Sequence, residues 1–217
     1  MNRPYVIINC AMSADGKIAS SVGRQLRISN EEDMRRVYNL RNEFDAVLVG
    51  VNTIQADNPK LTVKEEYVQN PKNPIRVILD THCITKENAL SVDEQAKTLI
   101  ITNGKCDKNY KSNVEVVQCG VDYEGFIDLN QMLDILYNRG IKKVMVEGGS
   151  TVIWNFLKLG LVDDLFVFIG PMIIGGKYTP SMADGEGIDQ EDDLINLEIL
   201  EFRKIGNGLL VHYKMVK

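Results

Sequence analysis

Histidine is scarce in this sequence of 217 residues. Only His82 and His212 are present, and they lie far apart along the chain. A Ser/His or Cys/His hydrolase needs a histidine beside its nucleophile, and the sequence also has no G-x-S-x-G motif and no P-loop lysine. Hydrolysis by a side-chain nucleophile is therefore not expected. Chemistry carried by a bound cofactor remains, with the protein supplying orientation and electrostatics.

Cysteine is also sparse, and its spacing does not suit a metal. No C-x-x-C pair occurs and the two histidines are far apart, so neither zinc nor another bound metal is expected. We interpret the cysteines as reduced thiols of a cytoplasmic protein. They are Cys10, Cys83, Cys106 and Cys119.

Long apolar runs and blocks of like charge are missing. No run approaches the roughly 18 apolar residues that a membrane span requires. The apolar segment Tyr5–Met12 is short and is followed by Asp15 and Lys17, which argues against a signal peptide and predicts the first strand of a cytoplasmic protein. The net charge of −5 has no local concentration, so neither nucleic acid nor a membrane surface is an expected partner.

Apolar runs of strand length alternate with helical patterns. Several runs, such as Ala-Val-Leu-Val-Gly, are continuously apolar, which is typical of parallel strands buried on both faces. We therefore predict an α/β fold with a mostly parallel central sheet flanked by helices. The predicted strands are Tyr5–Met12, Ala46–Gly50, Ile75–Leu79, Thr98–Thr102, Val114–Gln118, Lys143–Glu147 and Asp164–Ile169.

Helices are predicted between these strands. Asn30 is a candidate N-cap, followed by acids that suit the positive end of a helix, and this helix is expected to end near Asn42. Two further helices, Leu129–Asn138 and Ser150–Leu159, end before glycines. At the C-terminal end, Ile195–Lys204 and Leu209–Lys214 flank Gly206-Asn207-Gly208, which predicts an antiparallel hairpin. No linker is visible, so residues 1–217 are predicted to form one domain, with solvated loops over Glu65–Pro74 and Asp184–Asp193.

The turn Glu147-Gly148-Gly149-Ser150-Thr151 joins a predicted strand to a predicted helix. Its two glycines allow close backbone approach to a ligand. The unpaired N–H groups at the helix start and the two hydroxyls suit a phosphate. The turn lacks the G-x-G-x-x-G fingerprint, so it does not predict a Rossmann fold. From the residues alone, a phosphate site and a simple tight turn both remain open.

Polar residues follow three other predicted strands. Thr53 and Asp57 lie four residues apart after the second strand, and Asp80 and Thr81 follow the third. The turn Ser13–Lys17 follows the first, where Asp-Gly is a turn signal typical of a hairpin or loop. The carboxyl ends of parallel strands share one edge of a sheet, so these turns are expected to line one cleft. Capping and ordinary loop positions are the alternatives.

The motifs in this order resemble the riboflavin-biosynthesis reductase family, over essentially the whole chain. The Thr-x-x-x-Asp-x-Pro-x-Leu-Thr block and the Glu-Gly-Gly turn are specific in combination. The matching residues are Ser13-x-Asp15-Gly16-Lys17, Leu40-Arg41-Asn42, Asp45-Ala46, Val49-Gly50-x-x-Thr53-x-x-x-Asp57-Asn58-Pro59-x-Leu61-Thr62, Pro74-x-Arg76-Val77-x-Leu79-Asp80, Val146-Glu147-Gly148-Gly149, Gly170-Pro171 and Gly175-Gly176.

This resemblance implies a dihydrofolate-reductase-like fold, a homodimer and a nicotinamide hydride donor, NADPH with NADH left open. It implies reduction of the ribosyl group of a phosphorylated ribosylamino-pyrimidine to a ribityl chain. The H-x-E and P-C-x-x-C signature of zinc deaminases is absent. The expected substrate is therefore that of the stand-alone archaeal and fungal enzymes, 2,5-diamino-6-ribosylamino-4(3H)-pyrimidinone 5′-phosphate. Rival interpretations are a pterin or folate reductase of the same fold and a non-catalytic nucleotide-binding protein.

The resemblance also assigns roles to residues. Asp57 and Glu147 are predicted to be catalytic, Asp57 by orienting the nicotinamide and Glu147 by holding ribose hydroxyls. The predicted cofactor contacts are Ala11, Thr53, Asp57, Asp80, Thr81, Gly148, Gly149, Ser150 and Thr151. The predicted substrate contacts are Gln25, Arg41, Leu61, Lys64 and Glu147, with Arg41 and Lys64 meeting the phosphate.

Overall fold

The structure is a computed structural model that describes residues 3–216. The strands are β1 Tyr5–Ser13, β2 Ala46–Gly50, β3 Ile75–Leu79, β4 Thr98–Thr102, β5 Val114–Gln118, β6 Lys143–Gly148, β7 Asp164–Gly170, β8 Leu197–Ile205 and β9 Gly208–Met215. The α-helices are α1 Glu31–Glu43, α2 Val51–Asp57, α3 Leu129–Asn138 and α4 Ser150–Lys158. Every predicted strand and helix is present, with bounds that differ by a few residues at most.

The chain forms two compact units. The described residues of the first are 3–5 and 38–145, and those of the second are 6–37 and 146–216. Strand β6 and helix α1 begin in one unit and end in the other. The one-domain interpretation of residues 1–217 stays a prediction. Within residues 3–216, no helix has both the length and the apolar character that crossing a membrane requires.

The first unit contains a run of parallel strands in the order β5-β4-β3-β2. Strands β2 and β4 are buried along their whole length, as their continuous apolar sequences predict. In the ladders, Gly50 pairs with Leu79 and Leu79 pairs with Ile101, so three strands end at the same level. Helix α3 is capped by Asp128, whose side chain accepts hydrogen bonds from the N–H groups of Asn130 and Gln131.

The second unit holds the strands in the order β1-β7-β9-β8. Strand β1 runs parallel to β7, whereas β9 is antiparallel to both β7 and β8. The turn between β8 and β9 has Gly206 at φ 54°, where glycine is favoured, and the predicted C-terminal hairpin is confirmed. A buried cluster of Ile28, Phe168, Ile205 and Leu210 packs beneath it. The predicted class, a mostly parallel α/β fold with an antiparallel C-terminal hairpin, is confirmed.

Candidate active site

In the first unit, Thr53 and Asp57 lie on α2, which begins directly after the buried strand β2. The two side chains are one helical turn apart and both are half-buried. The helix ends at Asn58, whose backbone is left-handed at φ 43° and whose side-chain oxygen accepts a hydrogen bond from Leu90 N at 2.8 Å. Thr53 and Asp57 therefore lie on a short helix whose C-terminal end is bonded to Leu90.

Asp80 and Thr81 follow β3 at the edge where β2 also ends. The Asp80 carboxylate is fully buried and accepts hydrogen bonds from Ile84 N at 2.9 Å and from both Thr85 N and Thr85 Oγ1 at 2.7 Å. The half-buried Thr81 lies at the start of the turn that these bonds define. These bonds shape the turn, and the cofactor contact predicted for Asp80 stays a prediction.

The turns after β3 and β4 are joined to each other. The carbonyl of Thr81 accepts hydrogen bonds from Asn103 N at 3.2 Å and Gly104 N at 2.9 Å. Cys83 and Cys106, with Cα atoms 5.4 Å apart, form a disulfide across the same pair of turns. The expectation of four reduced thiols is therefore wrong for these two. The parallel neighbours β3 and β4 bring together cysteines that are 23 residues apart in sequence.

Among the predicted substrate contacts, Arg41 and Lys64 belong to the first unit. Arg41 donates to the carbonyl of Thr62 at 3.0 Å, and Lys64 pairs with Glu66 at 3.2 Å. A hydrogen bond to Glu66, followed by attraction from Tyr38, raises the pKa of Lys64 and keeps its ammonium charged. Lys64 therefore lies within the short segment 62–66, and Arg41 is bonded to the start of it.

Leu61 differs from its predicted role in one respect. Its side chain is only 2% exposed, and its backbone is left-handed at φ 54°, which is uncommon for a branched residue. The buried side chain fixes the path of the backbone between Asp57 and Lys64. The substrate contact predicted for Leu61 stays a prediction.

Sequence reasoning missed Arg76, which organises the first unit from strand β3. Its side chain is fully buried and donates to Thr98 Oγ1 and Asp93 Oδ1, both at 2.8 Å. Burial lowers the pKa of Arg76, while the hydrogen bond that its guanidinium donates to Asp93 opposes that shift. The guanidinium also donates to the carbonyls of Lys60, Leu90, Asp93 and Ala96. An arginine within an apolar strand pattern is the signal that could have identified this residue.

In the second unit, Glu147-Gly148-Gly149 leads from β6 into α4. Gly148 has φ 124°, a conformation that side-chain-bearing residues rarely adopt. Gly149 is the N-cap, and no side chain among residues 3–216 caps this helix end. The first turn of a helix has N–H groups without intrahelical partners, so this end suits an anion. Glu147 and Ser150 are half-buried and Thr151 is exposed.

Ala11 and Gln25 also belong to the second unit. Ala11 is half-buried on β1, pairs with Phe168 of β7 and packs on the cluster around Ile28. Gln25 is exposed and bridges to Ala19 across a turn. The structure therefore places Ala11 on a rigid strand and Gln25 on a surface turn.

Asp15 is the second residue whose importance the sequence did not reveal. Its carboxylate accepts hydrogen bonds from Ser13 Oγ at 2.5 Å, Gly175 N at 2.7 Å and Ile174 N at 3.1 Å. These bonds, that from Ser13 first, lower the pKa of Asp15 from 3.8 to about 2. The turn Ser13–Lys17 is thus more than a simple loop, because Asp15 ties it to Gly175, in the chain after β7.

The acidic loop Asp184–Asp193 is only partly a solvated loop. Glu186 accepts a hydrogen bond from Trp154 Nε1 at 2.7 Å and forms an ion pair with Lys158, both on α4. The Lys158 contact is the largest cause that lowers the pKa of Glu186 to about 2. Gly185 lies against the Trp154 ring, where a Cβ atom would come within 2.0 Å of the indole. The loop therefore packs against helix α4 and is bonded to two of its side chains.

Comparison with known proteins identifies the family to which this chain belongs. The model of the RibD C-terminal domain matches residues 4–211. The chain is 41% identical to the 2,5-diamino-6-ribosylamino-4(3H)-pyrimidinone 5′-phosphate reductase of Methanothermobacter thermautotrophicus, over 97% of this chain and 98% of that protein. Both matches extend over nearly the whole chain.

Solved structures agree with that placement. The deaminase/reductase of Thermotoga maritima has a TM-score of 0.84 and 28% identity, over 99% of this chain and 57% of that one. The chain thus spans little more than half of that two-activity protein. Dihydrofolate reductase from Enterococcus faecalis has a TM-score of 0.54 over 98% of this chain and 97% of that one; at 11% identity the likeness is one of fold alone. The chain has a dihydrofolate-reductase-like fold. It belongs to the RibD C-terminal domain family.

Proposed function

We propose that this chain reduces the ribosyl group of 2,5-diamino-6-ribosylamino-4(3H)-pyrimidinone 5′-phosphate to the ribitylamino product of riboflavin biosynthesis, with NADPH as the donor. The observation that carries the proposal is 41% identity, end to end, with an archaeal reductase of that name. Relatives from Archaeoglobus fulgidus and Aquifex aeolicus carry the same name. The chain is accordingly an oxidoreductase, and its family and fold imply a nicotinamide cofactor.

The second unit has a turn that fits the pyrophosphate of a dinucleotide. Gly148 and Gly149 keep the backbone bare where α4 begins, and the first N–H groups of that nine-residue helix point along its axis. Ser150 and Thr151 add hydroxyl donors, and Ala11 offers a small side chain on β1. We assign these residues to cofactor binding. A bound reduced nicotinamide would supply the hydride for C1′ of the opened ribosyl group.

In the first unit we assign Thr53, Asp57 and Thr81 to the cofactor, with Asp80 holding the turn that presents Thr81. Asp57 is the proposed catalytic carboxylate. A fixed negative charge favours the positive charge that develops when a nicotinamide loses hydride, and a carboxylate on a helix is already oriented before the reaction.

The substrate contacts follow from charge and position. Arg41 and Lys64 are proposed to bind the phosphate, because a phosphate monoester carries nearly two negative charges at neutral pH. Glu147, directly before the glycine turn, is proposed to accept hydrogen bonds from ribose hydroxyls. Gln25 is proposed as a further substrate contact, and Leu61 as the residue that shapes the Lys64 segment.

The proposed role of Asp57 can be tested by an isosteric change. Asp57→Asn should lower kcat by about tenfold or more, equivalent to ~1.4 kcal/mol of transition-state stabilisation, while NADPH still binds. Nicotinamide absorbance gives the rate, and quenching of Trp154 fluorescence gives cofactor binding. Asp134→Asn, on the exposed face of α3, is the matched control. Wild-type turnover in Asp57→Asn would overturn the assignment.

The substrate itself is tested by product analysis. Incubation with NADPH and the diamino-ribosylamino-pyrimidinone phosphate should give a product heavier by two hydrogens. Turnover of dihydrofolate in place of this compound would favour a pterin or folate reductase, and cofactor binding with no oxidation would favour a non-catalytic protein. The likeness to dihydrofolate reductase is one of fold alone and lends no weight to the folate alternative. The ratio of kcat/KM for NADPH and NADH tests the donor preference.

A homodimer and a cytoplasmic location complete the proposal. Strand β8 is at the outer end of the strand order of its unit, and its side chains Ile199 and Phe202 are 58% and 70% exposed. They pair with Tyr213 and Val211 of β9, so they lie on one face. A long exposed apolar edge strand is usually covered in native proteins. We propose that a second copy of the chain covers it.

Charge on this face should disrupt the dimer. Phe202→Glu should halve the mass measured by light scattering after size exclusion, because an unpaired carboxylate is costly to bury. Tyr123→Glu, at an 87% exposed tyrosine of the first unit, is the control and should stay dimeric. A monomeric wild-type protein, or an unchanged mass in Phe202→Glu, would contradict the proposed interface.

A further inference from the structure

Two tyrosines form a stacked pair beside the predicted phosphate contacts. The rings of Tyr38 and Tyr67 have centroids 4.8 Å apart and planes inclined by 10°. Tyr38, on α1, is 6% exposed, and Tyr67 is half-buried on the turn after Lys64. A hydrogen bond from Tyr67 N to Lys64 O at 3.1 Å closes that turn. The pair is therefore a fixed surface between a helix and a loop.

Two cations share this surface. The guanidinium carbon of Arg41 is 5.2 Å from the centroid of the Tyr38 ring, and Lys64 Nζ is 5.6 Å from the same centroid. Lys64 Nζ is also 5.8 Å from the Tyr67 centroid. The negative face of an aromatic ring attracts cations within about 6 Å. The Tyr38 ring therefore attracts both cations, and the Tyr67 ring attracts Lys64 as well.

Other contacts fix the direction of each cation. Arg41 is anchored by the bond that it donates to Thr62 O at 3.0 Å, which fixes the guanidinium beside the Tyr38 ring. Lys64 is more than half exposed, and its partner Glu66 is similarly exposed. An exposed ion pair of this kind is weak, so a phosphate can replace the Glu66 carboxylate at Lys64.

We propose that Tyr38 and Tyr67 are positioning residues that hold Arg41 and Lys64 as a two-cation subsite for the phosphate monoester of the substrate. The proposal rests on the proposed function, and it names residues that act through the cations without touching the reacting atoms. The i, i+3 spacing of Tyr38 with Arg41 and of Lys64 with Tyr67 is its signature in the sequence.

The kinetic test compares phosphorylated and dephosphorylated substrate. Tyr67→Leu should raise KM for the phosphorylated pyrimidine by about three- to fivefold, the order expected for an exposed cation–π contact. KM for NADPH and for the dephosphorylated pyrimidine should stay within about twofold of wild type. Tyr67→Phe, which keeps the ring, should restore the wild-type KM. An equal rise for both pyrimidines, or no rise, would overturn the proposal.

A matched control removes a similar contact elsewhere. Lys142 Nζ lies 3.1 Å from the centroid of the Tyr137 ring, on α3, so Tyr137→Leu deletes one lysine–tyrosine contact outside the proposed subsite. Its KM values should equal those of wild type. If Tyr67→Leu fails to fold, Tyr67→Met keeps apolar volume without the ring and is expected to give the same rise.

A binding measurement separates this inference from the proposed function. Inorganic phosphate should raise the melting temperature of the wild type, because a ligand that binds only the folded state stabilises it. That rise should be lost in Tyr67→Leu and kept in Tyr137→Leu. If the wild type does not reduce the pyrimidine but this pattern holds, the proposed function fails and the subsite stands. If the wild type is active and Tyr67→Leu responds to phosphate normally, the subsite is wrong.

Discussion

In each of the two compact units, one charged side chain forms hydrogen bonds to the backbone of a loop. The two side chains have charges of opposite sign. In the first unit, the fully buried Arg76 donates to the carbonyl groups of Lys60, Leu90 and Ala96. In the second, the half-buried Asp15 accepts from the N–H groups of Ile174 and Gly175. A cation collects carbonyls and an anion collects amides, so each sign selects which backbone groups it can organise.

The difference in burial predicts different consequences when each charge is removed. When a buried cation is removed by substitution, its hydrogen-bond acceptors stay buried without a donor, which lowers the stability of the fold. A partly exposed carboxylate is also solvated by water, so its removal should change the stability less. That change should depend on pH, because the carboxylate stabilises the fold only while it is ionised. The comparison therefore predicts a large, general effect at Arg76 and a smaller, pH-dependent effect at Asp15.

The largest effect is expected for Arg76→Met. Removing the guanidinium leaves the Asp93 carboxylate and several carbonyls without their donor, so the free energy of unfolding should fall by about 3–5 kcal/mol. Urea denaturation followed by circular dichroism measures this change. Arg139→Met is the control, since Arg139 forms a surface pair with Glu115 and its loss should cost less than about 1 kcal/mol. If Arg76→Met and Arg139→Met lowered the free energy of unfolding equally, the proposed role of the buried Arg76 would be wrong.

A smaller effect is expected for Asp15→Asn. The pKa of Asp15 is lowered from 3.8 to about 2, so its contribution to stability is present above pH 4 and is lost as the pH falls towards 2. Wild type should exceed Asp15→Asn in melting temperature at pH 6, and the gap should close between pH 4 and 2. Glu186 titrates in the same range in both proteins, so the difference between them isolates Asp15.

A control and a contradicting result complete that test. Asp189→Asn, at an exposed position of the acidic loop, should follow the wild-type curve throughout. A constant gap between wild type and Asp15→Asn from pH 6 to 2 would mean that the carboxylate does not stabilise the fold through its charge.

Much of the fold could be predicted because burial and turns leave local signals. The continuously apolar β2 and β4 are buried throughout, and the Gly-Asn-Gly turn joins β8 to β9 as expected. Asn30 accepts a hydrogen bond from Asp33 N at 2.9 Å, as its N-cap position predicts. Each of these features depends on residues close together in sequence.

The features that escaped prediction depend on contacts across the fold. The Cys83–Cys106 disulfide requires β3 and β4 to be neighbours in the sheet. Neither strand's sequence predicts the register that aligns their ends. The buried guanidinium of Arg76 donates to Lys60 and to the chain from Leu90 to Thr98, and Asp15 accepts from Ile174, more than 150 residues away. Pattern and spacing therefore identify elements, whereas pairing decides which polar groups meet.

The candidate site shows the same division. The positions of Thr53 and Asp57 on one face of α2 and the bare start of α4 follow from local sequence. The burial of Asp80 and Leu61 and the stacking of Tyr38 on Tyr67 do not, because each depends on segments that are separate in sequence. The resemblance supplied the predicted residue roles, and the structure shows the contacts that these residues make with their neighbours.

The most direct measurement is the steady-state rate of NADPH oxidation by the purified protein with 2,5-diamino-6-ribosylamino-4(3H)-pyrimidinone 5′-phosphate, compared with the same compound lacking its phosphate and with dihydrofolate. Our account predicts turnover of the phosphorylated pyrimidine, a kcat/KM at least about tenfold lower without the phosphate, and none with dihydrofolate. Oxidation that is equally fast with and without the phosphate, or that occurs only with dihydrofolate, would contradict it.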